Sequence, residues 1–487
     1  MWAIFVNLAR LGGMQMVIAL TAIVRTKVLA VKLGAEGYGE FSQVVLLALS
    51  ASTIATFGLG ISLSRNVAAA KDHAERQRLL DLSNAVNLFI SAACIGVAAP
   101  ILITRPEVLG IFGIGVTPTA LTAVLVVALF IPINAAVTHR VAFLTAVQDI
   151  NGLTSGRSLA LLLGTAVSIP IVWYWGIVGA AVQLLMLTAF VLAALDIRCR
   201  RIGFRPYGIS FDSRGAAATL ALGIVSLIDG AADQLSNLVV RSSLMNALGA
   251  AENGHYQAAI AVLNQFGVVV LSSIGGYAIA TLSRDPSRAN VTEVSNQLLS
   301  VVLPIAAAGF AMLGLFSGPA IHLFYSADFL PAQSLFPYLV SAEFLHVAIW
   351  TMGSPLLAQN RMAAWLMLDF VFFGVRLLAA LGLLPIFGID GVAIGYAIAT
   401  AIHLVLTWLY FNHLGFAVSG QNVGLLLTGA AMTLVLAYAG SQVEFDAPLY
   451  LAGLAVAAGF MLLSIHWLVG IGSAWGRVRR ALGRVEL

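Results

Sequence analysis

The stretch VRTKVLAVKLGAEGYGEF, residues 24–41, places three cations at the end of a long apolar run and follows them with a glycine-rich turn. These cations are Arg25, Lys27 and Lys32. The sequence LGAAENGHY at 248–256 repeats the pattern LGA-x-x-x-G-x-aromatic, and another arginine precedes it. A charge within a membrane-length apolar segment is costly unless it faces protein or water, so these cations need an explanation.

The composition indicates a membrane protein. Of the 487 residues, 60% are hydrophobic and only 9% are charged, whereas a soluble globular chain carries roughly 25% charged residues. Several apolar runs reach the ~20 residues that a transmembrane helix needs. The net charge of +4 is too small to favour nucleic acid as a partner, and the two cysteines form neither a disulfide framework nor a metal-binding motif.

The apolar runs predict an all-α polytopic protein of about 14 transmembrane helices joined by short connections. The first helix is too long for a cleavable signal peptide and is expected to remain as an anchor. The predicted helices span residues 5–33, 39–64, 82–104, 119–147, 158–174, 177–197, 216–247, 255–281, 294–318, 335–359, 363–386, 389–411, 422–440 and 448–470.

The distribution of basic residues predicts the orientation in the membrane. With fourteen crossings, 17 of the 25 lysines and arginines fall in loops or tails on one side, and only Lys32 and Arg105 fall on the other. Because cytoplasmic loops carry the excess of basic residues, both termini are expected to be cytoplasmic.

An internal repeat organises the chain. Residues 33–41 match 248–256 at an offset of 215, and Gly176-Ile-Val-Gly179 matches Gly388-Ile-Asp-Gly391 at an offset of 212. Six crossings separate the copies, so they are parallel repeats, which predicts two six-helix lobes around a central cavity plus two extra C-terminal helices. The predicted lobes are residues 1–215 and 216–415, followed by helices thirteen and fourteen and a basic tail at 416–487.

The repeat accounts for two of the intramembrane arginines. Arg25 lies nine residues before Gly34, and Arg241 lies eight before Gly249. Both therefore sit roughly 12–13 Å below the external turn of their repeat. Two guanidinium groups at similar depth, one from each half, predict an anion site in a shared cavity, and the donor fork of arginine suits phosphate. Lys27 faces away from Arg25 on a straight helix and is expected to reach toward the external headgroups.

Other intramembrane charges have two open interpretations, as contributors to transport or as structural ion pairs. Three further arginines are candidates for substrate contact, and four carboxylates are candidates for competing with the substrate, for binding a coupling proton or sodium ion, or for structural pairing. These residues are Arg10, Arg140 and Arg376, and Asp229, Asp233, Glu343 and Asp369. His139 lies beside Arg140, and His346 lies near Glu343.

The motifs resemble those of a known family. VRTKVLAVKLGAEGYGEFSQVVLLALSASTIATFGLGISLSR at 24–65 resembles the amino-terminal signature of bacterial polysaccharide transporters, the oligosaccharide flippases often called Wzx. LGAAENGHYQAA, YWGIVGAA and FGIDGVAIGYA resemble its later signatures. The larger superfamily includes multidrug exporters and lipid II flippases. The resemblance implies two lobes, a cationic cavity with Arg25 and Arg241 in the matching positions, and alternating access.

The resemblance also implies a substrate, a polyprenyl-diphosphate-linked oligosaccharide that moves from the cytoplasmic to the periplasmic leaflet of the bacterial inner membrane. Expected partners are that lipid, membrane lipids, and a polysaccharide polymerase with its chain-length regulator; no cofactor is expected. A multidrug exporter and a lipid II flippase stay open as alternatives. A membrane glycosyltransferase or polymerase is disfavoured, because the sequence has no DxD, HExxH or GxxxxGK[ST] motif and no external loop beyond about sixteen residues.

Overall fold

The computed structural model describes the backbone of residues 2–211, 216–284, 287–359, 361–442 and 447–470. Side chains are described for 20–149, 152–211, 217, 219–221, 223–267, 282, 287–356, 359, 361–442 and 447–464. Over these residues the chain is helical and contains no strand. The prediction of an all-α membrane fold is confirmed.

Sixteen α-helices and one 3-10 helix follow one another in the described chain. They are α1 (Trp2–Thr56), α2 (Leu59–Ala69), α3 (His73–Thr104), α4 (Val108–Ile111), α5 (Pro118–Ala128), α6 (Phe130–Ala146), α7 (Ile150–Arg201), α8 (Ala216–Leu248), α9 (Ala250–Arg284), α10 (Arg288–Leu315), α11 (Ser317–Phe324), the 3-10 helix (Ala327–Leu335), α12 (Phe336–Ala358), α13 (Met362–Phe387), α14 (Ile389–His413), α15 (Gly420–Gln442) and α16 (Ala447–Gly470).

All fourteen predicted crossings fall on helical segments. Ten described helical stretches are long and apolar enough to cross a membrane. Two of them, within α1 and α7, each contain two predicted crossings joined at a kink, at Gly34 and Gly176. The long helices α8 and α9 match the two remaining predictions.

The repeated turns have the same backbone geometry in both halves of the sequence. Gly176 and Gly388 both have positive φ, 55° and 60°, a conformation that glycine adopts at little cost. The partner glycines also correspond: a Cβ on Gly179 would lie 2.3 Å from the carbonyl oxygen of Ile171, and one on Gly391 would lie 2.3 Å from that of Leu383. Each contact is formed within its own hairpin, and the same spacing of 212 separates them, which supports a duplicated unit.

Two helices that the sequence predicts as continuous are interrupted in the structure. The predicted helix 39–64 breaks at Phe57 and Gly58, which both have positive φ. A Cβ on Gly58 would lie 2.1 Å from the carbonyl oxygen of Gly223, so the break lets the chain approach α8 at backbone distance. The predicted helix 119–147 is divided into α5 and α6 at Leu129.

The chain folds into two units. The N-terminal unit comprises Met1–Gln257 and Leu323–Phe329, and the C-terminal unit comprises Ala258–His322 and Leu330–Leu487. Helix α8 packs with the N-terminal unit because it contacts α1 and α2. The lobe boundary at residue 215, which rests on the sequence repeat, stays a prediction.

Each unit has a buried apolar core between packed helices. In the N-terminal unit one cluster, which includes Leu63, Phe143 and Leu195, joins α2, α6 and α7. A second cluster, around Val44 and Val127, joins α1, α5 and α7. In the C-terminal unit α10 packs on α15 and α16 through a cluster of Ala311, Leu315, Leu436 and Tyr450. The two N-terminal clusters include helices α1 and α6, which carry Arg25 and Arg140.

Candidate anion site

The two copies of the LGA-x-x-x-G motif pack directly against each other within the N-terminal unit. A Cβ on Gly39 would lie 1.8 Å from the carbonyl oxygen of Ala250, and a Cβ on Gly254 would lie 2.2 Å from that of Ala35. The two contacts are related by the repeat offset of 215, so the motifs form a reciprocal pair. The second glycine of each motif therefore permits a backbone contact and does more than end a turn.

This contact brings Arg241 against the opposite repeat. Arg241 on α8 is buried, and its Nη2 donates to Ser42 Oγ at 2.6 Å. Its Nη1 donates to Gln257 Oε1 at 2.8 Å, and its Nε donates to Asn253 Oδ1 at 2.8 Å. Ser42 and Gln257 occupy equivalent positions at the offset of 215. The guanidinium is thus fixed in place by three neutral acceptors.

Arg25 belongs to the same unit and is held differently. Its side chain is half-buried, and none of the hydrogen bonds or ion pairs among the described residues involves it. Tyr38 is buried and interacts electrostatically with both Arg25 and Arg241. We call Arg25, Tyr38, Ser42, Arg241, Asn253 and Gln257 the arginine site.

A short segment that contains Tyr325 and Phe329 covers Tyr38. Tyr38 Oη lies 3.3 Å from the hydroxyl oxygen of Tyr325, and its ring meets Phe329 edge-on with centroids 5.5 Å apart. Lys27 Nζ donates to the carbonyl oxygen of Tyr325. Lys27 thus has an acceptor within the protein, and its predicted reach toward the external headgroups stays a prediction.

The arginine site has an excess of positive charge. No carboxylate within the described residues bonds to Arg25 or Arg241. A buried cation without a counter-ion is costly, and the cost falls when an anion binds. A guanidinium has five N–H donors, and Arg241 directs three of its nitrogens to protein acceptors, so further donors remain. The arrangement is therefore suited to binding an anion.

Asp229 and Asp233 were open to structural pairing with Arg10 or Arg25, and neither carboxylate bonds to Arg25 among the described residues. Asp233 accepts from Asn237 Nδ2 at 3.2 Å, and Asp229 Oδ1 is buried without a hydrogen-bond partner in the described chain. Asp233 precedes Arg241 by eight residues on α8, about 12 Å along the helix. Arg10 lies on α1, but its side chain falls outside the described residues.

Arg140 forms a structural ion pair. It is almost fully buried, and its Nε bonds to Asp196 Oδ1 at 2.8 Å. Its Nη1 donates to Asn84 Oδ1 at 2.7 Å, and its Nη2 donates to the carbonyl oxygen of Pro206. Protein groups occupy every nitrogen of this guanidinium, so the structural interpretation that the sequence left open is favoured for Arg140.

Replacing Arg140 by alanine is expected to lower the free energy of unfolding by about 3–5 kcal/mol, because Asp196 would be left as an unpaired buried charge. Thermal unfolding of the purified protein measures the loss. The double variant Arg140→Met with Asp196→Leu is expected to regain most of it. Normal stability with lost transport in Arg140→Ala would instead place Arg140 among the substrate contacts.

The other predicted charges lie together in the C-terminal unit. Tyr396 Oη donates to Glu343 Oε1 at 2.7 Å and lies 3.2 Å from His346 Nδ1. Asp369 Oδ1 lies 3.7 Å from His403 Nε2. Arg376 places its guanidinium carbon 5.2 Å from the ring centroid of Phe372 and 5.4 Å from that of Phe373.

A cavity of about 510 Å³ in the C-terminal unit has a basic lining that contains none of the predicted site residues. Its cationic residues are Arg288, the first residue of α10, and Arg361, which immediately precedes α13. The lining consists of Arg288, Gln359, Arg361, His413, Leu414 and Phe416.

The neutral residues that fix Arg241 were not predicted from the sequence. Ser42, Asn253 and Gln257 carry no charge, and although they lie within the quoted motif segments, they are not among the positions that define the repeated pattern. A usable signal was present, because Ser42 and Gln257 align under the repeat and both follow the second glycine by three residues. Tyr325 gave no such signal, since its contact with Tyr38 spans 287 residues of sequence.

Comparisons with known proteins agree with this architecture. Residues 5–239 match the family model described as "Polysaccharide biosynthesis protein". A lipid III flippase of Escherichia coli (strain K12) is 22% identical over 260 residues, a match that covers 52% of this chain and 62% of that protein. A lipid III flippase of Shigella flexneri matches to the same extent. The matched region is thus less than two thirds of these relatives' own length.

Solved structures share the fold at low sequence identity. The lipid II flippase MurJ in an inward closed conformation has a TM-score of 0.74 at 13% identity, over 95% of this chain and 99% of that chain. A multidrug resistance MATE family transporter in an inward-facing conformation has a TM-score of 0.66 at 15% identity, over 85% and 96%. Together these comparisons show that residues 5–239 resemble the polysaccharide biosynthesis family and that the chain shares the fold of these transporters.

Proposed function

We propose that this protein is a flippase that moves a polyprenyl-diphosphate-linked oligosaccharide from the cytoplasmic to the periplasmic leaflet by alternating access. The observation that carries the proposal is the arginine site, where Arg25 and Arg241 interact with Tyr38 and have no carboxylate partner in the described chain. The similarity to a lipid III flippase and to the lipid II flippase MurJ supports a lipid-linked substrate.

The physical requirement is to carry a diphosphate across an apolar layer. Moving such a charged group through hydrocarbon alone would be prohibitive, so protein donors must replace its water. Arg241 is preorganised by its three neutral acceptors, whereas Arg25 is free to adjust to the phosphates. A fixed and an adjustable guanidinium together suit a substrate that must be bound and then released.

The multidrug-exporter alternative fits the site less well. Organic cations are recognised by aromatic or acidic groups, and Tyr38 and Tyr325 do supply aromatic rings. However, the two guanidinium groups that interact with Tyr38 would repel a cation. A lipid II flippase would use the same anion chemistry, so the identity of the sugar separates it from the main proposal.

The remaining functional assignments belong to this proposal. The protein acts as a transporter rather than an enzyme, in the bacterial inner membrane, with both termini in the cytoplasm and without a cofactor. It serves surface or exopolysaccharide biosynthesis alongside a polysaccharide polymerase and a chain-length regulator. The basic loops support this orientation.

Proteoliposomes test the proposed activity. Purified protein is reconstituted with a polyprenyl-diphosphate oligosaccharide that is labelled on the sugar, and a membrane-impermeant quencher reports the fraction exposed outside. Protein is expected to speed the exchange of label between leaflets, whereas the same lipid with an uncharged link is expected to stay in place. Exchange no faster than in empty liposomes, together with export of an organic cation dye, would overturn the proposal in favour of a drug exporter.

A further inference from the structure

One corner of the fold occurs twice, once in each unit, at equivalent positions of the internal repeat. Gly203 and Gly415, which are 212 residues apart, both have positive φ, 90° and 81°. The amides of the following residues, Phe204 and Phe416, each donate to the carbonyl oxygen five residues earlier, at 2.9 Å and 3.2 Å. The two turns therefore have the same geometry, and their side chains can be compared position by position.

A helix begins against each of these turns, and it carries a different side chain in the two units. His73, the first residue of α3, places Cε1 3.6 Å from the position that a Cβ on Gly203 would occupy. Arg288, the first residue of α10, places Nη1 3.0 Å from the corresponding position on Gly415. A guanidinium thus covers the C-terminal turn where an imidazole covers the N-terminal one.

The two corners also differ at the residue that precedes the neighbouring helix. In the N-terminal unit Asp149 accepts from Arg198 Nη2 at 2.7 Å, so an acid neutralises a base. The equivalent residues at the offset of 212 are Arg361 and Tyr410. The backbone is alike, because the amides of Asp149 and Arg361 each donate to the carbonyl oxygen five residues earlier, at 3.0 Å and 2.7 Å. The C-terminal unit therefore has a base where the N-terminal unit has an acid.

The basic cavity of about 510 Å³ lies at the C-terminal corner. Arg288, Arg361 and His413 all line it and are exposed. No carboxylate in the described part of the chain bonds to any of the three. Of the acids nearest to Arg288 in sequence, Glu293 bonds to a glutamine of its own helix, and Asp285 lies outside the described residues. The cavity thus gathers positive charge that these described groups do not neutralise.

The wall of the cavity is held in place by the protein itself. Asn296 Nδ2 on α10 donates to the carbonyl oxygen of Ala417 at 2.7 Å, and its Oδ1 accepts from the amide of Ser419 at 2.7 Å. Phe416 is buried and packs on Phe411 with ring centroids 5.0 Å apart. The chain that follows α14 is therefore tied to α10, and a ligand would meet a backbone that is already ordered, which lowers the cost of binding.

We propose that this cavity binds a phosphate group. The donor forks of Arg288 and Arg361 suit phosphate oxygens, and His413 adds a third polar group. The volume falls within the ~300–1,000 Å³ that is usual for small-ligand sites. Basic pockets at the ends of transmembrane helices bind phospholipid headgroups, and soluble phosphate offers the same chemistry. The site shares no residue with the arginine site and goes beyond the proposed transport function.

Modification of arginine by phenylglyoxal tests the site, with the rate at each residue measured by mass spectrometry of peptides. The full-length protein is placed in phosphatidylcholine nanodiscs, and phosphatidylglycerol or inorganic phosphate is added in separate arms at an ionic strength held constant with chloride. We expect at least one ligand to slow modification of Arg288 and Arg361 by about threefold or more, because bound ligand protects the occupied fraction. Arg201, the exposed equivalent of His413 in the N-terminal unit, is expected to react at an unchanged rate.

A charge reversal tests whether the two arginines form one site. Arg361→Asp restores the residue type of the N-terminal unit at a backbone position that accepts it, and it is expected to abolish protection of Arg288. Arg201→Asp is the matched control and is expected to leave that protection intact.

Every outcome decides the proposal. Protection by phosphatidylglycerol alone assigns the site to a lipid headgroup, protection by inorganic phosphate alone assigns it to soluble phosphate, and protection by both assigns it to phosphate groups in general. Equal slowing at Arg201, no slowing with either ligand, or protection of Arg288 that survives in Arg361→Asp overturns it. Lipid exchange is not part of this measurement, so the phosphate site and the flippase proposal can each fail alone.

Discussion

Replacing Arg25 by alanine is expected to reduce lipid exchange in proteoliposomes by more than about tenfold, since removal of one partner of a desolvated charge pair commonly costs about 2 kcal/mol or more. The thermal stability of the variant is expected to stay within about 0.5 kcal/mol of the parent protein. We expect a large effect on exchange and a small effect on stability, because Arg25 forms no hydrogen bond or ion pair with the described part of the chain.

Lys32 supplies the matched control for this experiment. It lies seven residues further along α1, it is exposed, and its Nζ lies 5.5 Å from the ring centroid of Trp173. Lys32→Ala removes the same charge from the same helix and is expected to leave exchange nearly unchanged. Equal losses in Arg25→Ala and Lys32→Ala would show that general surface charge, rather than the arginine site, drives transport.

Substituting alanine for Gly39 is expected to cost about 3 kcal/mol or more in stability, at the upper end for an overpacked contact. The new Cβ would lie 1.8 Å from the carbonyl oxygen of Ala250 and 2.8 Å from the amide nitrogen of Gly254. Both are backbone atoms, which cannot rotate away as a side chain can. Heating the detergent-purified protein and measuring the folded fraction by size-exclusion chromatography gives the loss.

Gly96 on α3 provides the comparison, because nothing lies within 4 Å of the position its Cβ would occupy. Gly96→Ala is expected to be neutral or stabilising by up to about 1 kcal/mol, as alanine is the better helix former. Gly254→Ala should resemble Gly39→Ala, since its Cβ would lie 2.2 Å from the carbonyl oxygen of Ala35. Gly39→Ala and Gly96→Ala with the same stability would contradict the reciprocal packing of the repeated motifs.

The sequence was sufficient to predict the helices because membrane crossings are set by length and hydropathy, which are local properties. The fourteen predicted segments all fall on helices. The turns at Gly34 and Gly176 could be predicted because each belongs to a repeated glycine motif. The interruption at Phe57 was missed, because it depends on the approach of Gly223 from a distant helix.

The arginine site was predictable in part, because the internal repeat is visible in the sequence. The repeat pointed to Arg25 and Arg241, which the structure places in one unit, where both interact with Tyr38. The burial of Arg140 could not be predicted from the sequence. Its partner Asp196 lies 56 residues away, and in the sequence it resembles any other carboxylate near the end of a helix. The link from Glu343 to His346 through Tyr396 was equally hidden, since tyrosine in an apolar helix gives no sign of its partner.

Calorimetric binding of a short-chain prenyl diphosphate to the purified protein measures whether the arginine site holds a diphosphate. We predict binding that weakens with added salt and is absent for the corresponding uncharged prenyl alcohol. We also predict a loss of about 2 kcal/mol, a factor of roughly thirty, in Arg25→Ala. Equal affinity for the diphosphate and the alcohol, or unchanged diphosphate affinity in Arg25→Ala, would contradict the assignment of the arginine site.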